Sequence, residues 1–304
     1  AFAHGAAVVS FFRWRQAPFA QEQMHAGLLR PDSTPAEAWP EIEQLAAELA
    51  RVPLPAPTRA PVAMIVDTTA EFVSAIEQQG RGYDYTGVLH GWYRALRSLG
   101  MDVDFVAPGA DVQGYPLVLA PCLAVASDAA VAALAAADGL VLLGPRSGAK
   151  TDDFTIPDGL PPGPPIRVLA VDTPRPDCPG TLHLDGAAHL STGWRESIDH
   201  GPAEVLATLE DGKPALLRHG RAHYLATLTD HDGLTALFAR LAQAAGVAVT
   251  PVSGGLRLRR RGDLVFAINY GPQAATAPAP AGAEFLLGSA HIPAHDLAIW
   301  KDPA

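Results

Sequence analysis

Apolar and polar positions change rhythm along this chain. Residues 62–66, 103–106, 117–120, 140–143 and 166–171 are short, mostly apolar runs, the pattern of strands buried on both faces. Helical patterns separate them. Val88, Leu89, Trp92, Leu96 and Leu99 recur at helical spacing over residues 85–99 and stop at Gly100, and residues 127–137 are an alanine-rich helix. Strands alternating with helices of this length predict a doubly wound parallel sheet. Residues 180–229 are richer in short strands and turns, including Asp211-Gly212, and a helix over 234–245, ended by Gly246, closes the region.

The flanks read differently. Residues 34–52 predict a helix with Thr34 as N-cap, Pro35 in the first turn, Glu37 three residues after the cap, and a stripe of Ile42, Leu45, Ala46 and Leu49. Prolines at 53, 55, 57 and 61 make a stiff, extended linker and a domain boundary. Toward the end, residues 256–261 and 264–270 predict a hairpin through Gly262-Asp263. Residues 285–287 and 297–300 add strands to a small antiparallel sheet or sandwich, and the Ala-Pro run at 274–281 is a loop.

The opening carries the chemistry. Ala6 to Phe12 is an apolar run with the length of a buried strand, followed at once by Arg13, Trp14, Arg15 and Gln16, then Glu22 and His25. A buried strand leading into aromatic, charged and amide groups is how a barrel strand presents its C-terminal end to a ligand. An aromatic platform ringed by polar groups suits a sugar, whose apolar face stacks while its hydroxyls take hydrogen bonds. With residues 20–29 helical, Glu22 and His25 fall on one face. On spacing alone, a core Phe12, a Trp14 packed under a barrel and a solvated Glu22–His25 face account for the same residues.

Phe11-Phe12-Arg13-Trp14-Arg15-Gln16 followed by Glu22 and His25 resembles the last β/α unit of the barrel in family 42 glycoside hydrolases, the β-galactosidases. The resemblance implies a galactose subsite lined by Phe12, Glu22 and His25, with Trp14 beside them. It extends over the whole chain: the final βα unit of a TIM barrel at 1–53, a linker at 54–61, a glutamine-amidotransferase-like (flavodoxin-like) α/β trimerisation domain at 62–249, and a C-terminal β-sandwich at 250–304. It is specific in the first thirty residues, fair at residues 115–121 and 145–148, and loose in the tail.

Composition limits the alternatives. Hydrophobic residues make up 48% and charged residues 18%, a globular balance, and 304 residues suffice for two or three domains. A net charge of −10 argues against nucleic acid or an anionic membrane as partner. No apolar run reaches the roughly 20 residues that span a bilayer. Residues 1–12 lack the basic leader and cleavage site of a signal peptide. Cys122 and Cys178 make neither a disulfide framework nor a metal quartet, so a reducing cytoplasm is expected. A start without methionine, directly in an apolar run, points to part of something larger.

Other candidates fall away. Residues 144–151 resemble a P-loop, but Ala149 replaces the second glycine and no helix pattern follows Thr151. Cys122 follows a strand where an amidotransferase carries its nucleophile, but lacks small neighbours and a downstream His-x-Glu. Histidines 183, 189, 200, 219, 223 and 231 show no metal-ligand spacing, and neither metal nor cofactor is expected. Trp194-Arg195-Glu196 reads as a buried tryptophan beside a surface ion pair, and Arg257, Arg259, Arg260 and Arg261 as a solvated strand face. A retaining glycosidase needs two carboxyl groups about 5 to 5.5 Å apart. The resemblance puts both glutamates on earlier barrel strands, so no catalytic residue is assigned and the chain alone should be inactive. The implied partners are a β-galactoside, the N-terminal barrel part and two further copies in a homotrimer. A non-catalytic assembly or sugar-binding module is the alternative, and a Cys122 enzyme ranks below both.

Overall fold

The computed structural model describes residues 1–78, 80, 83–175 and 177–302. The chain divides into two units: Ala1–Thr58 with the segment from Ser253 onward, and Arg59–Val252. In the first unit residues 6–12 form no strand. A strand is stable only inside a ladder, and no neighbouring strand runs beside this segment, so it lies unpaired with Val8 81% and Phe12 73% exposed. The expected helix over 20–29 is also absent. Gln21–Met24 makes a single 3₁₀ turn and the backbone becomes extended at His25. The reason lies at Gly27, whose backbone presses on Arg15 and Gln16; a Cβ there would sit 2.5 Å from the Gln16 nitrogen.

Helix α1 (Trp39–Arg51) starts later than its sequence pattern predicts. Thr34 does not cap it, because its hydroxyl and N–H both donate to the Asp32 carboxylate, at 2.6 and 3.0 Å. That Asx turn holds residues 32–34 out of helix, and Pro40 takes the place in the first turn.

The second unit opens with β1 (Val62–Ile65), all four residues buried. Helix α2 (Thr68–Ile76), which the apolar pattern does not announce, is nucleated by Asp67 accepting from Thr69 N–H at 2.9 Å. Helix α3 (Tyr85–Ser98) is capped by Asp84 and buries Tyr85, Val88, Trp92, Ala95 and Leu96. Strands β2 (Val103–Val106) and β3 (Leu117–Ala120), helix α4 (Asp128–Ala135) and strand β4 (Leu140–Leu143) follow. Then come β5 (Pro162–Gly163), β6 (Ile166–Asp172), β7 (Gly180–Leu184), β8 (Ala187–Asp199), β9 (Glu204–Leu209), β10 (Pro214–His219), β11 (Ala222–Leu225), β12 (Thr227–Thr229) and helix α5 (His231–Ala244).

One sheet takes them in the order β2-β1-β3-β4-β11-β10-β9-β7-β8-β6-β5, with β12 against β8. The run β2-β1-β3-β4-β11 is parallel, as the alternating pattern predicts, whereas every pair from β11 to β5 is antiparallel. Strand β6, expected as a further parallel member, lies antiparallel to β8. No helix lies between β4 and β6, so there is no crossover to bring β6 back in the parallel sense. Alternate residues of the parallel strands feed two cores: Val62, Met64, Leu117 and Leu119 pack with Trp92 and Phe238, and Ala63, Ile65, Val118 and Ala120 with Tyr115 and Ala130. Burial of each of the valine, leucine, isoleucine, methionine and phenylalanine side chains among them contributes about 1.5–3 kcal/mol.

In the first unit β13 (Leu256–Arg261) and β14 (Leu264–Asn269) form the predicted hairpin. They are followed by β15 (Ala275–Thr276), β16 (Phe285–Leu287), β17 (His291–Ile292) and β18 (Leu297–Lys301). The sheet order is β13-β14-β18-β16, with β15 and β17 paired separately. Its face joins Ala3, Val52, Leu264, Phe266 and Ile299 in a small core. The β13 arginines are not a solvated face. Arg259 and Arg261 are 9% and 8% exposed, and Arg261 donates to the carbonyls of Pro55 and Phe2, both at 2.6 Å. A guanidinium carries five donors, enough to hold two loop segments against one strand.

Candidate functional site

Phe12, Arg13, Glu22 and His25 are brought together on the first unit's surface. Leu28 N–H bonds to Arg13 O at 3.0 Å, Leu29 N–H to Trp14 O at 2.8 Å, and Gln16 N–H to Leu29 O at 2.9 Å. These bonds close residues 17–27 into a loop, and the Gln16 amide pins it from inside through Gln23 O at 2.6 Å. His25 N–H bonds to Glu22 O at 3.1 Å, which ties His25 back to the turn that stands where the α-helix was expected.

The His25 ring meets Phe12 edge to face with centroids 6.2 Å apart, and the Arg13 guanidinium lies over Phe12 at 4.8 Å. Arg13 also forms an ion pair with Glu22. The result is an open aromatic face, Phe12, with a carboxylate and an imidazole set around it. Arg13, which sequence reasoning passed over, links these groups; its signal was its place between the two aromatics of Phe-Arg-Trp. Trp14 turns aside to stack edge to face on Trp39 at 5.8 Å, yet remains 63% exposed. The cluster offers one carboxylate, paired with a cation. An aromatic face with hydrogen-bonding groups at its rim is of the kind that suits a polyhydroxylated ring, and the cluster lacks the second carboxyl that two-carboxylate hydrolysis requires.

The second unit has a buried polar cluster at the C-terminal ends of β3 and β4. Cys122 is fully buried, which pushes its thiol up to about 12. The side chains acting on it are Tyr83, Arg146, Asp67 and Glu196, none of them a histidine, so nothing there generates a thiolate. The Arg146 guanidinium lies over both Tyr83 and Trp194, at 4.8 and 4.9 Å, and the two rings meet edge to face at 5.2 Å. Glu196 is buried, not part of a surface ion pair as its sequence context suggests. It accepts from Arg146 N–H and Trp194 Nε1–H at 2.9 Å and from Tyr224 O–H at 2.6 Å. Burial raises its pKa, and those hydrogen bonds oppose the rise. Arg195 alone reaches the surface, paired with Glu210 at 2.9 Å.

The P-loop look-alike spends its donors on its own chain. Gly148 N–H bonds to Leu123 O at 2.7 Å, Lys150 N–H to Ala124 O at 3.0 Å, and Lys150 Nζ pairs with Glu77 at 2.6 Å. Among the described residues, no group of three or more His, Cys, Asp or Glu is placed to hold a metal ion. No helix among them is long and apolar enough to cross a membrane.

Comparison with known proteins follows this geometry. Residues 1–52 match a family model described as β-galactosidase, residues 60–248 the β-galactosidase trimerisation domain, and residues 255–302 the β-galactosidase C-terminal domain. A β-galactosidase of Thermus thermophilus is 47% identical over 310 residues, which cover 99% of this chain and 47% of that protein. β-Galactosidase BgaH of Haloferax lucentense is 31% identical over 98% of this chain and 47% of its own length. The crystal structure of a β-galactosidase from the psychrophilic Marinomonas ef1 superposes with a TM-score of 0.93 at 36% identity, covering 99% of this chain and 48% of that one. The chain thus spans about half the length of the curated relatives it matches.

Proposed function

The chain belongs to the family 42 β-galactosidases, and we propose that it is the part of a retaining β-galactosidase that completes the galactose subsite and assembles the trimer. The supporting observation is the cluster of Phe12, Arg13, Glu22 and His25, an exposed aromatic face with hydrogen-bonding groups at its rim. In this reading the apolar face of a terminal β-D-galactoside stacks on Phe12, and Trp14 borders the same subsite. Glu22 accepts from sugar hydroxyls and His25 donates to or accepts from them. Arg13 holds Glu22 in place through their ion pair. The two catalytic glutamates belong to the part of the enzyme outside this chain. Residues 1–53 would then be the last βα unit of its barrel, with residues 6–12 completing a strand only beside that barrel.

Membership further supports an amidotransferase-like reading of residues 62–249, without amidotransferase chemistry at the buried Cys122, and a homotrimer built through that region. Cys122 and Cys178 are both free thiols, which favours a reducing, cytoplasmic setting. The alternative, a non-catalytic assembly or carbohydrate-binding module, draws on the single carboxylate of the cluster.

The test supplies the missing half in trans. The 304-residue chain is co-expressed with the N-terminal half of the Thermus thermophilus relative, and hydrolysis of a chromogenic β-D-galactoside is measured. The chain alone should be inactive and the pair active, with Glu22→Ala lowering kcat/KM by about 10²-fold or more. A pair that assembles without hydrolysing the substrate would favour the module reading.

A further inference from the structure

Residues 17–27 carry Glu22 and His25 without a core of their own. Residues 18–26 are all exposed, Phe19 and Met24 included, so no packed side chain fixes the shape of the loop. A segment with so little buried surface opens easily unless hydrogen bonds hold it. Its two ends are firmly held. Arg13, Trp14 and Gln16 share backbone bonds with Leu28 and Leu29, and Gly27 lies against Arg15 and Gln16 with no room for a Cβ. Ala36 N–H bonds to Leu28 O at 3.0 Å and Arg15 Nη1 donates to Ser33 Oγ at 3.1 Å, which ties this neck to the segment before α1.

From the neck, Gln16 reaches inward. Its Nε2 donates to Gln23 O at 2.6 Å, on backbone that lies between Glu22 and His25. His25 N–H bonds back to Glu22 O at 3.1 Å, so one amide holds the turn that carries both side chains. Arg13, by contrast, reaches the Glu22 carboxylate alone. The backbone that leads into the turn is not relaxed. Ala20 sits at φ 69° and ψ −167°, a region that glycine alone occupies without strain. Such strain persists only where the surroundings hold it. Cutting the pin therefore frees Ala20 to relax and takes Glu22 and His25 out of register with Arg13 and Phe12. We propose that Gln16 is a positioning residue of the galactose subsite, acting through the Gln23 carbonyl on Glu22 and His25, an inference that rests on the subsite reading above.

Two measurements on Gln16→Leu, which keeps a similar volume and loses the donor, test this role. In the 304-residue chain alone, amide exchange at His25 should be about 10-fold faster than in wild type, with the β14 amides unchanged. Unchanged exchange at His25 overturns the pin. In the pair with the N-terminal half of the Thermus thermophilus relative, Gln16→Leu should lower kcat/KM for the chromogenic galactoside by about 10-fold or more. In a Glu22→Ala/His25→Ala background the same substitution should cost about 2-fold or less, because the groups it positions are gone. Equal penalties in the two backgrounds mean that Gln16 acts on something else, and they overturn the proposal. An active pair that Gln16→Leu leaves unchanged overturns the positioning role alone. An inactive wild-type pair overturns the subsite reading and the positioning role with it. Should Gln16→Leu not assemble with its partner, Gln16→Glu keeps the shape without the donor, and the same outcomes decide.

Discussion

The first thirty residues leave most of their large apolar side chains at the surface, whereas residues 59–252 bury a central set of them. In the opening segment Val8, Phe12, Phe19 and Met24 are between 72% and 91% exposed, and no strand forms. In the second unit Trp92, Trp194 and Phe238 are at most 2% exposed. Hydrophobicity alone does not distinguish the two regions. The second unit carries, within one stretch of chain, the strands and helices that cover each other. The opening carries a short loop closed by backbone bonds, with its aromatic rings outward. In the opening such residues lie at the surface; the large aromatic rings of the second unit's centre are structure.

The contrast can be broken most directly by one substitution made twice. Phe238→Ala removes a ring from the core under α3 and α5, where it meets Trp92 edge to face at 5.3 Å, and should cost about 3–5 kcal/mol. Phe12→Ala should change stability by less than about 0.5 kcal/mol while weakening galactoside binding in the assembled enzyme. Urea unfolding followed by tryptophan fluorescence checks both. Comparable losses at the two positions would mean that the opening segment is part of the core after all.

A smaller effect sharpens the account of the second unit. Glu196 ties Trp194 and Tyr224 to the loop after β4, and its pKa is raised in the folded protein by burial. For a carboxyl so displaced, the native state holds its proton more tightly than the unfolded chain does. Its contribution is therefore full below the ordinary glutamate range and is lost as pH rises through the raised value. Glu196→Gln should flatten that part of the stability–pH curve, measured as urea midpoints from pH 4 upward. An unchanged slope would place the charge-bearing proton elsewhere.

Much of the second unit was legible because its signals are local. Four short apolar runs, the helix that ends at Gly100 and the helix after Asp230 all depend on residues close in sequence. What escaped depends on partners far along the chain. The antiparallel placement of β6 is set by β8, and the burial of Glu196 by Tyr224 and Arg146. Arg261 looked solvated until Phe2 and Pro55 supplied their carbonyls. The candidate site was read from a motif, and Phe12 and His25 do meet, although the helix expected beneath Glu22 and His25 is a single 3₁₀ turn. Its strand was misread for a physical reason: Ala6 to Phe12 has the composition of a strand but no neighbour here to pair with.

The two cysteines carry the comparison down to single atoms. Cys178 is exposed, whereas Cys122 is sealed beneath Tyr83 and Arg146, with its thiol pushed up to about 12 by burial. At neutral pH almost none of Cys122 is thiolate, and a reagent cannot reach it without opening the unit. Titration with an aromatic disulfide should therefore release one equivalent promptly from the native protein, and a second only in denaturant. Cys178→Ser should abolish the prompt phase. If Cys122 reacts promptly in that variant, the end of β3 is open to solvent, and a thiol buried as core would have to be reconsidered as a site. A slow second phase that follows global unfolding instead makes Cys122 a probe of the second unit's stability, reporting the same cooperative opening that Phe238→Ala should accelerate.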